Sequence, residues 1–243
     1  MSTRLFVSGA LSNDAELVLQ GEQANYLGRA LRSRVGDTVT VFNGDGGEWP
    51  ASIEHIGKNS VTLRLGAVVE SATESPLKIH LVQGISRGER MDFVVQKATE
   101  LGVSRITPVL THHGMVKLDQ KRADKRRQHW QHVAESACEQ SGRTHPPRID
   151  EPVALNSWFG DRDSAGTMEV VLQATATASL VSLSAPTAGL CLLVGPEGGF
   201  SEREYEDAEM AGFQAASLGP RILRTETAAL AAVTVAQSCW GDF

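Results

Sequence analysis

No apolar run in this chain approaches membrane-spanning length. The longest, around Ala228–Ala236, is broken by Thr234, whereas a bilayer-crossing helix needs roughly 20 consecutive apolar residues. The segment Met1-Ser2-Thr3-Arg4-Leu5-Phe6 has no apolar core of the kind a secretory signal carries. Cysteine is scarce: Cys138, Cys191 and Cys239 are widely spaced and odd in number, so they make neither a disulfide framework nor a zinc knuckle. The expectation is a protein of the reducing cytoplasm with no membrane partner.

Positive charge is also short: 23 Lys+Arg stand against 29 Asp+Glu, and the net charge of −6 argues at face value against a nucleic-acid partner. Its distribution argues the other way. Residues 1–72 carry 6 basic and 8 acidic side chains, residues 73–148 carry 13 and 8, and residues 149–243 carry 4 and 13. A basic middle in an acidic chain can steer a polyanion, because local potential rather than total charge governs association. The alternative is an ordinary solvated helix through Lys121-Arg122…Lys125-Arg126-Arg127.

At 243 residues the chain has room for one large domain or two smaller ones. Up to about residue 70 it reads as β structure. Thr38–Phe42 and Ser60–Leu65 alternate and are β-branched, and Asn43-Gly44-Asp45-Gly46-Gly47 is a hairpin turn. A helix over Gln23–Ser33 interrupts, presenting Arg29, Arg32 and Arg34 near one edge of a small barrel. Ser71–Pro76 has linker composition. Beyond it, strands alternate with helices: Lys78–Gln83, helix Arg87–Leu101, Ser104–Leu110, a long helix to Ser141, Val170–Ala174, Leu190–Val194, Ala215–Leu218 and helix Glu226–Trp240. That alternation predicts a mostly parallel sheet covered on both faces, with ligands at the carboxyl ends of its strands. Helix Glu226–Trp240 is apolar on nearly every side and predicts burial, in part against a second subunit.

Two Gly/Pro loops stand at such strand ends, Gly195-Pro196-Glu197-Gly198-Gly199 and Leu218-Gly219-Pro220-Arg221-Ile222-Leu223-Arg224-Thr225. The first is neither a P-loop nor a G-x-G-x-x-G fingerprint. Glycine lets backbone approach a ligand closely. Arg221 and Arg224 are two of the 4 basic residues after position 148, an unusual placement for solvation alone. Ser201 with Glu204 predicts a capping box, with Phe200 and Tyr205 as its hydrophobic staple. Thr225 is expected to cap the last helix.

Other chemistries have their own residues. Gly84-Ile85-Ser86-Arg87-Gly88 matches the G-x-S-x-G nucleophile elbow and would make Ser86 a hydrolase nucleophile. Ser86 with Glu89 also reads as a capping box, and no HGGG-type segment precedes it. His129, His132, Glu135 and Glu139, with His112-His113, have metal-ligand spacing, which a polar helix face explains more cheaply, so no metal is expected.

Taken together, Gly195–Phe200 and Leu218–Ala228 resemble the signature of the RsmE family of SPOUT-class RNA methyltransferases. Glu100-Leu101-Gly102-Val103, Glu139-Gln140-Ser141-Gly142-Arg143 and Leu31-Arg32…Val35-Gly36-Asp37 extend the resemblance over essentially the whole chain. It implies S-adenosylmethionine-dependent methylation of N3 of a uridine in the decoding region of 16S rRNA, in the small ribosomal subunit, giving 3-methyluridine. The implied fold is α/β: a PUA-like RNA-binding β-barrel over residues 1–72, then a SPOUT methyltransferase domain over 73–243 with a C-terminal trefoil knot within about 170–228. General topological rules do not lead to a knot. The SPOUT domain would form a homodimer.

By the same resemblance the cofactor meets Leu172, Gly195, Pro196, Gly198, Leu218, Gly219, Ile222, Leu223 and Thr225. Arg224 or Arg221 would stabilise the uracil anion and Glu197 would accept the N3 proton. Glu197 capping amides of its own loop is the alternative. Arg4, Arg29, Arg32, Arg34, Arg87, Lys97 and Arg143 are the candidates for holding rRNA phosphates. One departure is visible: His112-His113-Gly114-Met115-Val116-Lys117-Leu118 stands where the family has an acidic or polar residue and then Arg before a Val-Lys-Leu-like stretch. His113 would make that RNA contact weaker and pH-dependent. A protein that binds RNA without catalysis is the remaining alternative.

Overall fold

A computed structural model of the chain describes residues 3–114, 119–162 and 165–243. It divides into two compact units, Met1–Glu74 with Cys138–Pro146, and Ser75–Ala137 with Pro147–Phe243.

In the first unit the strands are β1 (Thr3–Phe6), β2 (Glu16–Gln20), β3 (Thr38–Phe42), β4 (Gly47–Ile56), β5 (Ser60–Leu65) and β6 (Val69–Glu70), with a short helix α1 (Gly21–Asn25). They pair in the order β1-β3-β4-β5-β2, with β6 on β4; only β1 and β3 run parallel. Among the described residues no β1–β2 pairing closes the ladder, so in its hydrogen bonding the expected barrel is an open mixed sheet over one core. Alternation places that core: Val61, Leu63 and Leu65 of β5 are buried with Leu5, Val39, Val41 and Ile53. The hairpin turn forms as expected. Asn43 Oδ1 accepts from the Asp45 amide at 3.2 Å, and Gly44 and Gly46 take φ of 95° and 96°.

The helix expected over Gln23–Ser33 does not run through. α1 passes into a π-helical turn, Tyr26–Ala30, and Arg32 then takes φ 54°. Ala24 and Leu27 are buried, so one short face is anchored while the wider turn lets the chain leave it. Cys138–Pro146 joins this unit through Arg143. Its side chain is buried, and its Nη2 donates to Glu74 at 2.6 Å while the Thr144 and His145 amides donate to the same carboxylate at 3.2 Å.

After β6 the elements are β7 (Ile79–Gly84), α2 (Arg90–Glu100), β8 (Arg105–Leu110), α3 (Gln120–Ser141), β9 (Arg148–Ile149), β10 (Val153–Ala154), α4 (Leu155–Asp161), β11 (Met168–Leu172), β12 (Leu190–Val194), α5 (Glu202–Met210), β13 (Gln214–Ala216) and α6 (Thr225–Trp240). Every pairing of the second sheet is parallel, in the order β10-β8-β7-β12-β11-β13 with β9 on β8. Both faces are covered. Leu190, Leu192 and Val194 of β12 pack with Met91, Val94, Val95, Ala229 and Val233. Cys191 and Leu193 pack with Leu155, Trp158, Phe200 and Phe213. Burying each such aliphatic side chain is worth roughly 1.5–3 kcal/mol, which makes β12 the anchor of the sheet.

Two helix starts differ from expectation. α2 begins at Arg90 rather than Arg87, because Gly88 takes φ 63°, outside helical space, so the Ser86–Glu89 box is not formed. α6 begins at Thr225, with Arg224 at the capping position and no side-chain cap; the Thr225 hydroxyl is engaged elsewhere. The short β9, β10 and α4 were not anticipated. No helix among the described residues is long and apolar enough to cross a membrane.

Candidate functional site

Three neighbouring parallel strands, β12, β11 and β13, end in the loops that line one cleft of about 320 Å³. Leu172 ends β11 and Gln173 and Ala174 follow it, Gly195–Gly199 follow β12, and Ser217–Leu223 with Thr225 follow β13. Leu172, Gly195, Pro196, Gly198, Leu218, Gly219, Ile222, Leu223 and Thr225 all line it, as do Glu197 and Arg221. Arg224, exposed at the start of α6, is not among the lining residues.

The glycines in and beside this cleft have distinct reasons. A Cβ on Gly84 would stand 2.5 Å from both Cδ and N of Pro196, so β7 meets the loop after β12 backbone to backbone. Gly219 takes φ 107° with nothing within 4 Å of where a Cβ would be, so the turn after β13 leaves open space. The remaining lining is mostly apolar, including Leu172, Val194, Leu218, Ile222 and Leu223.

The loop after β12 is held from several sides. Thr225 Oγ donates to the Gly195 carbonyl at 2.5 Å and accepts from Gln83 Nε2 at 2.9 Å. Glu197 accepts from the Arg87 amide at 3.0 Å and from Arg90 Nη1 at 2.7 Å. Burial pushes the Glu197 carboxyl up, but its own amide, the Arg87 amide and the Arg90 guanidinium together hold it below the usual carboxylate range. The capping box beyond the loop is formed as expected. Glu204 N donates to Ser201 Oγ at 3.3 Å and Ser201 N to Glu204 Oε2 at 2.8 Å, with Phe200 and Tyr205 rings 5.5 Å apart. Glu204 Oε1 also accepts the His112 amide at 2.7 Å.

His112 and His113 are exposed, with ring centroids 5.0 Å apart. A Cβ on Gly198 would come 2.9 Å from the His113 Cβ, so this departure from the family pattern lies against the glycine loop. Its continuation, Met115–Leu118, falls outside the described residues.

Of the cations expected to hold phosphate, Arg29, Arg32 and Arg34 are exposed on or just after the π-helical turn, and Arg87 is exposed before α2. Lys97 is tied to Glu100 at 2.7 Å. Arg4 and Arg143 depart from the expectation. Arg4 pairs with Glu48, donates to the Arg143 carbonyl at 2.9 Å and stacks 4.8 Å over Phe42, while Arg143 is buried on Glu74. Both guanidiniums are engaged inside the first unit.

The rival chemistries lose their geometry. Ser86 is 1% exposed and its hydroxyl makes no hydrogen bond among the described residues, whereas an elbow serine needs an exposed Oγ on a base. His129 bonds Asp92 at 2.7 Å, His132 bonds Glu135 at 3.0 Å, and Glu139 accepts the Phe6 amide, so these residues do not converge.

Sequence reasoning missed Gln83 and Arg90. Gln83 carried a signal, as a polar residue ending an apolar strand; Arg90 carried none, its partner lying 107 residues away.

The RNA methyltransferase domain family matches residues 73–237, and the RNA methyltransferase PUA domain family matches residues 19–66. Ribosomal RNA small subunit methyltransferase E of Buchnera aphidicola subsp. Acyrthosiphon pisum is 31% identical over 240 residues, spanning 99% of this chain and 94% of that one. A ribosomal RNA small subunit methyltransferase E from Neisseria gonorrhoeae, solved bound to S-adenosyl methionine, superposes with TM-score 0.93 at 36% identity, covering 100% of both chains. A Legionella pneumophila protein, solved with the bound cofactor SAM, gives TM-score 0.95 at 39% identity, again over 100% of both. With both domains matched in order and the relatives aligned along nearly its full length, the chain belongs to the RsmE family of S-adenosylmethionine-dependent ribosomal RNA small subunit methyltransferases.

Proposed function

We propose that this chain methylates N3 of a uridine in the decoding region of 16S rRNA, yielding 3-methyluridine in the small ribosomal subunit. One observation carries the reading: the residues that the resemblance assigns to the cofactor converge on a single cleft at the carboxyl ends of three adjacent parallel strands. An apolar lining crossed by glycine backbone suits an adenosine and a short aliphatic chain, and the open space at Gly219 leaves room for close approach.

S-adenosylmethionine supplies a methyl group already activated on a sulfonium sulfur. What remains for the chain is to place N3 in line and to ease loss of its proton. Orientation of this kind contributes roughly 7–11 kcal/mol in favourable cases. Arg221, on the cleft wall, is assigned the cation beside a uracil carbonyl, where negative charge develops as N3 loses its proton. Arg224 is the second candidate. Glu197 is assigned to holding the loop, because a carboxylate kept ionised by Arg90 and two amides is a weak proton acceptor near neutral pH. Arg29, Arg32, Arg34 and Arg87 remain the proposed phosphate contacts.

A trefoil knot over about residues 170–228 is part of the proposal. It is supported by the course of the chain: β13 lies beyond β11 at the sheet edge, yet α6 returns to pack against α2, β7 and β12. A homodimer through the methyltransferase domain is supported by Ile222, 92% exposed at the cleft, and by the half-buried Leu230 and Val235 of α6. The cytoplasm is the compartment that fits such a substrate.

The test is nucleoside mass spectrometry of 16S rRNA after incubating the protein with S-adenosylmethionine and unmodified small subunits. New 3-methyluridine is expected. Cofactor binding without methylation would direct the search to another RNA, or to a binding protein without catalysis; no cofactor binding would overturn the reading.

A further inference from the structure

The basic run of α3 has no part in the cofactor cleft. Its last member, Arg127, lines a second cleft of about 620 Å³ together with Arg105, Arg148 and Asp150. Arg105 opens β8 and Arg148 opens β9, so this cleft lies at the amino ends of strands whose sheet carries the cofactor cleft at its carboxyl ends.

Asp150 organises it. Its side chain is 11% exposed, and Arg105 Nε stands 2.6 Å from Oδ2 while Arg148 Nε stands 2.9 Å from Oδ1. Thr107 Oγ donates to Oδ2 at 2.5 Å. The carboxylate thus hydrogen-bonds Arg105 and forms an ion pair with Arg148, each through Nε, and among the described residues neither guanidinium has a second carboxylate partner. A guanidinium carries five donors, so each of the two keeps a planar fork for an oxyanion. Arg127 Nε is buried and makes no hydrogen bond among the described residues. Two exposed carboxylates, Glu151 and Asp161, also line the cleft and temper its charge. His80 adds none: burial, and secondarily the Arg105 charge, push its imidazole down to about 4.

We propose that this cleft and the α3 run form a second contact for the phosphate backbone of the RNA substrate. The inference rests on the function proposed above and extends it to residues outside the cofactor cleft. A row of cations favours a polymer over a single anion. Lys121 and Lys125, and Arg122 and Arg126, repeat at four-residue spacing and so form adjacent rows on the helix leading to Arg127.

The experiment is binding of small-subunit rRNA as a function of salt, with S-adenosylmethionine affinity measured in parallel by calorimetry. Arg127→Ala and Arg148→Ala are each expected to weaken RNA binding by about three- to tenfold, uniformly across sequences. Each should also make the slope of log K against log salt shallower by about 0.7 to 0.9 for every phosphate the variant no longer neutralises. Cofactor affinity should stay unchanged, and Arg127→Lys should retain most of the RNA binding. If either alanine variant fails to fold, the surface pair Lys121→Gln with Lys125→Gln decides in its place. Variants that bind RNA with unaltered affinity and slope, while the parent chain binds steeply with salt, overturn the inference alone. A parent chain that binds no RNA overturns it together with the proposed function.

Discussion

Thr225 Oγ reaches the Gly195 carbonyl at 2.5 Å, joining the first turn of α6 to the loop after β12. Both Thr225 and the Gln83 that supports it are buried. Thr225→Val leaves the half-buried Gly195 carbonyl without that hydroxyl and strips the Gln83 amide of one of its two hydrogen bonds, a loss of about 1–3 kcal/mol. Cofactor affinity measured by calorimetry is expected to fall, by about tenfold for each 1.4 kcal/mol, while Thr225→Ser stays near the parent. Equal affinities for the valine variant and the parent would remove the tie from the binding site.

Gly84 makes the same argument sterically. An alanine there meets Pro196 N and Cδ at 2.5 Å, and backbone cannot yield as a flexible side chain does. Overpacking of this sort costs about 1–3 kcal/mol. Gly84→Ala is expected to weaken cofactor binding by displacing the loop; unchanged binding would show that the loop gives freely.

Arg221 and Arg224 separate binding from chemistry. If a guanidinium stabilises charge that exists only in the transition state, its removal lowers turnover without a matching loss of cofactor affinity. Arg221→Ala and Arg224→Ala are expected to behave so in single-turnover methylation, with Arg221 the more damaging because it lines the cleft. Equal loss of turnover and cofactor affinity would take the residue out of the chemistry.

The Glu74–Arg143 pair gives the first unit an acid limit. Burial pushes the Glu74 carboxyl up, but Arg143 and the His145 and Thr144 amides outweigh it, so its folded-state value lies below 4.5. The stability this contributes is complete above pH 4.5 and is lost as pH falls through the lowered value. Glu74→Gln should therefore flatten the decline of Tm with acid. Glu74→Ala, which removes the carboxylate that bonds the Arg143 guanidinium and the Thr144 and His145 amides, should lower Tm at neutral pH more than Glu74→Gln does. An unaltered acid limb in Glu74→Gln would assign it to other carboxylates.

The strands, the two loops and the capping box were legible because their signals are local. Alternation marks β3 and β5, Gly and Pro mark the loops, and Ser201 with Glu204 marks the start of α5 within four residues. Helix starts were misread where the decisive contact is remote. Thr225 looks like a cap until Gly195 takes its hydroxyl, and the capping reading of Ser86 fails because Gly88 leaves helical space. Arginines were the least legible. Nothing within Glu139–Arg143 announces that Arg143 will be buried on Glu74, 69 residues away, or that Arg4 will pair with Glu48.

The sequence by itself determined the alternation of strands and helices, the parallel sheet and the place of the glycine loops at strand ends, since each follows from periodicity and backbone freedom within a few residues. Only the tertiary structure decided which charges remain available. A side chain's partner depends on what the folded chain brings within about 3 Å of it, and that proximity is set by sheet order and packing rather than by spacing along the chain. Glu197 is engaged by Arg90 and the Arg87 amide, and Arg105 and Arg148 by Asp150, for that reason alone.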